Sequence, residues 1–175
     1  MYKYRITKYN PQYRDDKDIF MKNEWTSYTD IGKIYNEHIF LKEEYLSIEE
    51  KYCAVYLDIL KSNGVSEVAI KDLECYFSIS EINQLFKQRG LELSMEDEKI
   101  MCSLANDKKI KVNDLQEYIK LILRECFWCR FEDEVSSIQI EFGYDYYSYI
   151  FCNCINESLI NKYKKMEIFI EKVTF

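Results

Sequence analysis

The chain has 175 residues, enough for one domain that buries about two-thirds of its unfolded surface, and its aromatic fraction of 16% argues against a disordered chain. Thirty-one acidic against 24 basic residues give a net charge of −7, which argues against nucleic acid or anionic lipid as a partner and for a basic protein. Four glycines and one proline, with no GxGxxG or GxxxxGK[ST], leave little material for a phosphate-cradling loop, and no apolar run approaches the roughly 20 residues that span a bilayer.

In chain order, residues 2–9 alternate Tyr2, Tyr4 and Ile6 with Lys3, Arg5 and Thr7, the period of a strand with one wet face, and Asn10-Pro11 ends it. This opening lacks the apolar region of a secretion signal. Together with seven cysteines, an odd number, it points to a cytoplasmic chain with reduced thiols. After a polar loop, Ser27 or Thr29 caps a short helix before Ile31, Ile34 and Tyr35, and Trp25 anchors that loop to the core. Ser47 with Glu50 reads as a capping box for a helix whose stripe is Ile48, Tyr52, Val55, Tyr56 and Ile59. A second face carries Cys53, Leu57 and Leu60, leaving a wet strip around Glu49, Lys51, Asp58 and Lys61, and Asn63-Gly64 stops the helix.

Ser78 with Glu81 and Ser94 with Asp97 open two further helices, near 79–89 and 95–105, separated by Gly90. Asn113 caps a helix over 114–126 with Leu115, Tyr118, Ile119, Ile122 and Cys126 on one stripe, and "FWCRFED" follows as a strand. From Ser137 the period changes: Ile138, Ile140 and Phe142 alternate with Gln139 and Glu141, a turn falls near Gly143, and an aromatic strand returns through Phe151. "INESLINKYKKM" makes a short helix, and Ile168 and Ile170 alternate through a last strand. The expected class is α+β: a single domain over 1–175, with an N-terminal strand, a hairpin near 137–152 and a last strand packed against a helical middle of about 47–126.

Three constellations bear on chemistry. "VAIKDLE" at 68–74 and "IKVNDLQ" at 110–116 form a weak repeat with an EF-hand flavour. Counting back from Val112 puts Ala105, Asp107 and Lys109 at the first ligand positions with Gln116 last, and counting from Ile70 gives Asn63, Val65, Glu67 and then Glu74. Too few oxygen ligands survive for calcium, so an ordinary helix-strand-helix repeat is expected. Cys126 and Cys129 form a CxxC, and Cys152 and Cys154 a CxC, spacings compatible with a zinc site. Cys126 nevertheless continues an apolar helix stripe and Cys152 and Cys154 alternate toward a core, so packed thiols are expected, with no metal and no cofactor. His38 is the lone histidine, which removes any pair of imidazoles.

The third is "FGYDYYSYIFCNC" at 142–154, where alternation puts Tyr144, Tyr146, Ser148, Ile150, Cys152 and Cys154 on one face and Asp145, Tyr147, Tyr149 and Phe151 on the other. Rings on both faces suit a central strand covered on both sides. Exposed tyrosines near the turn suit a binding surface.

The phrases "YRITKYNPQYRD", "NEWTSYTDIGK" and "FGYDYYSYI" resemble a group of small uncharacterised proteins from low-GC bacteria. The resemblance implies a bacterial origin and one domain that includes both ends of the chain, and no activity. From the residues, the expectation is an acidic, tyrosine-rich interaction module that binds a basic protein, in the manner of an immunity protein neutralising a basic toxin domain. Its candidate contacts are Glu132, Asp133, Glu134, Glu141, Tyr144, Asp145 and Tyr146. The alternatives are a small hydrolase using carboxylates such as Glu24, Asp30 or Asp145, and a zinc-stabilised module built on the four clustered cysteines.

Overall fold

The computed structural model describes residues 1–173. The chain opens with β1 (Tyr2–Thr7), then a two-stranded ribbon of β2 (Ile34–Tyr35) and β3 (His38–Ile39), and then α1 (Lys42–Ser62). There follow β4 (Glu67–Glu74), α2 (Ile79–Lys87), α3 (Met95–Cys102), β5 (Lys109–Lys111) and α4 (Leu115–Leu123). The last third is β6 (Trp128–Asp133), β7 (Ile138–Phe142), β8 (Ser148–Cys152), α5 (Glu157–Lys165) and β9 (Phe169–Lys172). Seven strands make one sheet in the order β5-β4-β6-β7-β8-β1-β9, and every neighbouring pair is antiparallel. The class is α+β, as expected, and β1 sits between β8 and β9, so both ends of the chain share the sheet. Among the described residues no helix is long and apolar enough to cross a membrane.

Period-2 alternation gives the sheet two unlike faces. Across the buried face run Ile70, Phe131, Ile140, Ile150 and Tyr4, each the registered partner of the next, with Tyr4 flanked along β1 by Ile6. The opposite face carries Lys71, Arg130, Glu141, Tyr149, Arg5 and Glu171, also in register and only partly buried. Strand β8 is therefore interior in the sheet, with Ser148, Ile150 and Cys152 buried and Tyr149 and Phe151 half-buried. The internal repeat has a structural counterpart: its two β triplets pair with each other, Val68 opposite Ile110. The first copy does not turn into a helix as the second does. It continues as strand through a bulge, where Asp72 adopts φ +52° and the Leu73 N–H donates to Asn106 Oδ1 at 3.0 Å, and it pairs with β6 to Glu74.

Helix α1 begins ahead of Ser47. The Glu44 carboxylate accepts from the Leu41 N–H at 2.8 Å, and two glutamates in the first turn suit the positive end of the helix dipole. The expected wet strip is also corrected, because Glu49 is 1% exposed and its carboxylate holds the Arg124 guanidinium in a fork, at 2.7 Å to Nε and 2.6 Å to Nη2. This pair ties α1 to the residue after α4. On the same stripe lie Tyr45, Tyr52 and Tyr56, all fully buried. Their hydroxyls donate to Leu123 O at 3.3 Å, to Tyr146 O at 2.7 Å and to Ser148 Oγ. Helix α4 stops at Leu123 because Glu125 takes φ +58° and the Cys126 N–H folds back to Leu121 O at 2.9 Å. Asn113 lies in the 3-10 turn ahead of α4 (Val112–Asp114) and provides no side-chain cap.

Truncating one member of the buried fork leaves the other charge without its partner. Arg124→Met is expected to lower the unfolding free energy by about 3 kcal/mol, and Glu49→Leu combined with Arg124→Met to recover most of that loss. Urea denaturation checks both. A double variant as unstable as the single one would contradict the assignment.

Candidate functional site

The turn between β7 and β8, residues 143–147, is built by local hydrogen bonds and held by distant ones. The Gly143 N–H donates to Tyr147 O at 2.8 Å and the Tyr147 N–H to Tyr144 O at 3.0 Å. A Cβ on Gly143 would stand 3.0 Å from Tyr147 O, which is why this position carries no side chain. Asp145 and Tyr146 both adopt left-handed backbone, φ +56° and +60°, a cost of about 1–3 kcal/mol each. Burial of the Tyr146 ring offsets it. That ring meets Tyr52 at 5.0 Å and Trp25 at 5.1 Å, both edge-on, and its carbonyl accepts from the Tyr52 hydroxyl. Tyr146 is 6% exposed and Tyr144 is 92% exposed, so the two residues expected on one face have opposite fates.

Beside this turn, where β4 and β7 end and β6 and β8 begin, lies a cavity of about 460 Å³. Aromatic rings line it: Trp128, Phe142, Tyr144 and Tyr146, with Tyr76 and Phe77 from the segment after β4. The Trp128 indole is fixed by donating Nε1–H to Phe142 O at 2.6 Å. Tyr76 is 70% exposed and Phe77 45%, so with Tyr144 three large rings face solvent on one rim. Among the described residues the charged ones of the lining are Glu74, Glu125 and Asp145, and no Lys, Arg or His lines it. Among the described residues none of these three acids forms an ion pair, whereas Asp58, Asp107, Glu134 and Glu171 each pair with a Lys or Arg. Glu125 is exposed as a residue, yet desolvation of its carboxyl, with the charges of Asp145 and Asp30, raises its pKa against a lowering bond from Ser27.

On the far side of Trp25 the chain accommodates one of its own cations. Lys8 Nζ stands 4.0 Å from the centre of the Tyr9 ring and 4.1 Å from that of Trp25, with Glu24 at 3.4 Å, in a hollow of about 340 Å³. Burial lowers the ammonium to about 8, against the pull of Glu24, Asp30 and Asp145.

The other expected residues are dispersed. Glu132, Asp133 and Glu134 lie at the opposite end of β7, whose five residues span roughly 17 Å. They are occupied there: Glu132 faces Arg130 at 3.4 Å, Asp133 accepts from the Ser136 N–H at 2.9 Å, and Glu134 pairs with Lys71 at 3.1 Å. Glu141 lies on the half-buried face of the sheet, bonded to Gln139. Of the seven candidates, Tyr144, Asp145 and the buried Tyr146 share the cavity.

Of the acids considered for catalysis, Glu24 faces Lys8. Asp30, 5% exposed, accepts from the Thr26 N–H at 2.7 Å and from Lys33 at 2.6 Å, and so organises its own loop. The cysteines are not gathered: Cys129 on β6 and Cys152 on β8 are separated by β7, Cys126 is buried behind α4, and Cys154 is exposed. Among the described residues no three His, Cys, Asp or Glu are grouped to hold a metal ion. His38 is exposed and lies 3.0 Å from Glu44.

Tyr76, Phe77, Glu125 and Trp128 were not singled out from the sequence, and Glu74 was weighed there only as a calcium ligand. The available signal was the exposed pair of rings in "CYFS", directly after an alternating strand.

Lys8 gives a pH test. The folded chain releases its proton near pH 8 and the unfolded chain near 10.5, so between these values the unfolded state binds more protons and folding is favoured as pH rises. Wild-type stability relative to Lys8→Met should therefore climb by on the order of 2–3 kcal/mol between pH 7.5 and 10.5. Because the buried tyrosines and thiols are common to both proteins, their titration cancels in the difference. A flat difference in urea midpoints would contradict the desolvated lysine.

No family model matches the chain, and no curated protein or solved structure matches it either.

Proposed function

We propose that this chain is a small protein-interaction module that binds a basic protein through the cavity beside the β7–β8 turn, in the cytoplasm of a bacterium and in the manner of an immunity protein blocking a toxin domain. The observation that carries it is the cavity's composition: three solvent-facing rings, Tyr76, Phe77 and Tyr144, and three carboxylates unrelieved by any basic lining residue. Exposed aromatic rings give contact area at low entropic cost, and an acidic rim speeds association with a positive surface and disfavours negative ones. The net charge of −7 has the same sign as the rim.

A hydrolase reading keeps one supporting observation: Glu125, with its raised pKa, and the Asp145 that helps raise it share one cavity, as an acid and base would. Turnover of glycoside or ester substrates that is lost in Glu125→Gln would favour it over binding.

The test captures a basic protein from bacterial lysate on the immobilised chain at low salt, purifies it, and follows association at several salt concentrations. Association is expected to slow as salt rises. Tyr144→Ala should weaken the complex by about 2 kcal/mol through faster dissociation, with thermal stability unchanged because that ring is exposed. Replacing Glu132 and Glu134 by Gln at the distant end should alter only the association rate. Tight binding that is indifferent to Tyr144 would place the interface elsewhere.

A further inference from the structure

We propose that the cavity beside the β7–β8 turn takes an arginine side chain of the partner, with the guanidinium against the rings of Tyr144 and Trp128 and paired to the carboxylates of Glu125 and Asp145. This rests on the interaction reading above and names the chemistry that the site recognises.

Four observations converge on a cation, and on arginine among cations. First, an anionic ligand would meet three like charges, and a neutral apolar one would cover carboxylates without pairing them. Either is costly, because a desolvated charge needs a partner. Second, the arginine next to Glu125 in sequence is engaged elsewhere: the Nε and Nη2 of Arg124 are both bonded to Glu49. Third, aromatic rings line the cavity and rings attract cations over their faces, and a planar guanidinium stacks on a ring while presenting a fork of donors to carboxylates. An ammonium meets rings and carboxylates only as a point charge, without the plane or the fork. Fourth, the fold uses the same chemistry internally, where Lys8 lies between Tyr9 and Trp25 beside Glu24. At about 460 Å³ the cavity is in the range of ligand pockets, large enough to receive a long side chain with its flanking backbone.

The backbone supports a preformed site. Both rim acids stand at left-handed positions, Glu125 at φ +58° and Asp145 at φ +56°, where an L-residue is strained and must be held by its surroundings. Glu125 is held by the fold-back after α4 and Asp145 by the buried Tyr146 beside it.

The test titrates three blocked tripeptides, acetyl-Gly-X-Gly-amide with X arginine, lysine or citrulline, while the indole N–H signal of Trp128 is followed by NMR. Citrulline keeps the shape of arginine and removes its charge. Expected are saturable shifts with arginine, several-fold weaker binding of lysine and at least tenfold weaker binding of citrulline. Glu125→Gln and Asp145→Asn should each weaken the arginine peptide about tenfold, and Glu96→Gln on α3 should leave it unchanged. Citrulline or lysine binding as well as arginine, or unaltered binding in both rim variants, would overturn the inference. If the arginine peptide fails to bind while the basic partner protein still does, this inference falls and the interaction reading stands. If neither binds, both fall.

Discussion

Three hydroxyl groups on one stripe of α1 determine where the site can be. Tyr45, Tyr52 and Tyr56 are fully buried, and a buried hydroxyl without a partner costs about 1–3 kcal/mol, so each must meet an acceptor. The acceptors are the last residue of α4, the β7–β8 turn and the first residue of β8. One helix thus holds three of the segments that wall the cavity, the end of α4, the turn and the start of β8. The Tyr52 bond is the most consequential, because its acceptor is the carbonyl of Tyr146, the bulkiest residue in the chain's left-handed turn. Pinned there, Tyr146 stays inside, and the residues just before it are left to project outward.

The same constraint separates the two acidic clusters. Around 132–134 the carboxylates are consumed by Arg130, Lys71 and the turn's own amides, so that end of the sheet is electrostatically closed. At the other end Glu74, Glu125 and Asp145 have no ion-pair partner among the described residues, and no basic side chain lines the space between them. A folded protein ordinarily pairs desolvated charge internally, as Glu49 and Arg124 do here with two short bonds. Glu74, Glu125 and Asp145 are exposed residues that water solvates in the free chain, and the proposed function rests on a partner's cation meeting them when that water is displaced.

Much of the fold was legible because its signals are local. Capping pairs at Ser78/Glu81 and Ser94/Asp97 mark α2 and α3, and alternation through Ile138, Ile140 and Phe142 marks β7. The misreadings occur where a distant partner decides. Glu49 looks solvated until Arg124, 75 residues away, is seen to meet it. The strand character of β4 beyond Lys71 depends on pairing with β6, which nothing in "DLE" announces. The period-2 reading of 142–154 placed Tyr144 with Tyr146, but residues 143–147 are a turn with two left-handed residues, and alternation holds only from Ser148. Only part of the site was therefore found, Tyr144, Asp145 and the buried Tyr146. The rest, Glu74, Tyr76, Phe77, Glu125 and Trp128, comes from segments that only the sheet order brings together.

A hydroxyl on α1 holds the turn that presents Tyr144 and Asp145. Amide hydrogen exchange in Tyr52→Phe probes this hold, since the ring is kept and the bond to Tyr146 O is lost. Losing a bond of about 1 kcal/mol should speed exchange at the Gly143 and Tyr147 amides roughly fivefold, while amides of β6 and α4 exchange as in wild type. Unchanged exchange at the turn, or an equal increase throughout the sheet, would show that the turn stands without that hydroxyl and would contradict the account.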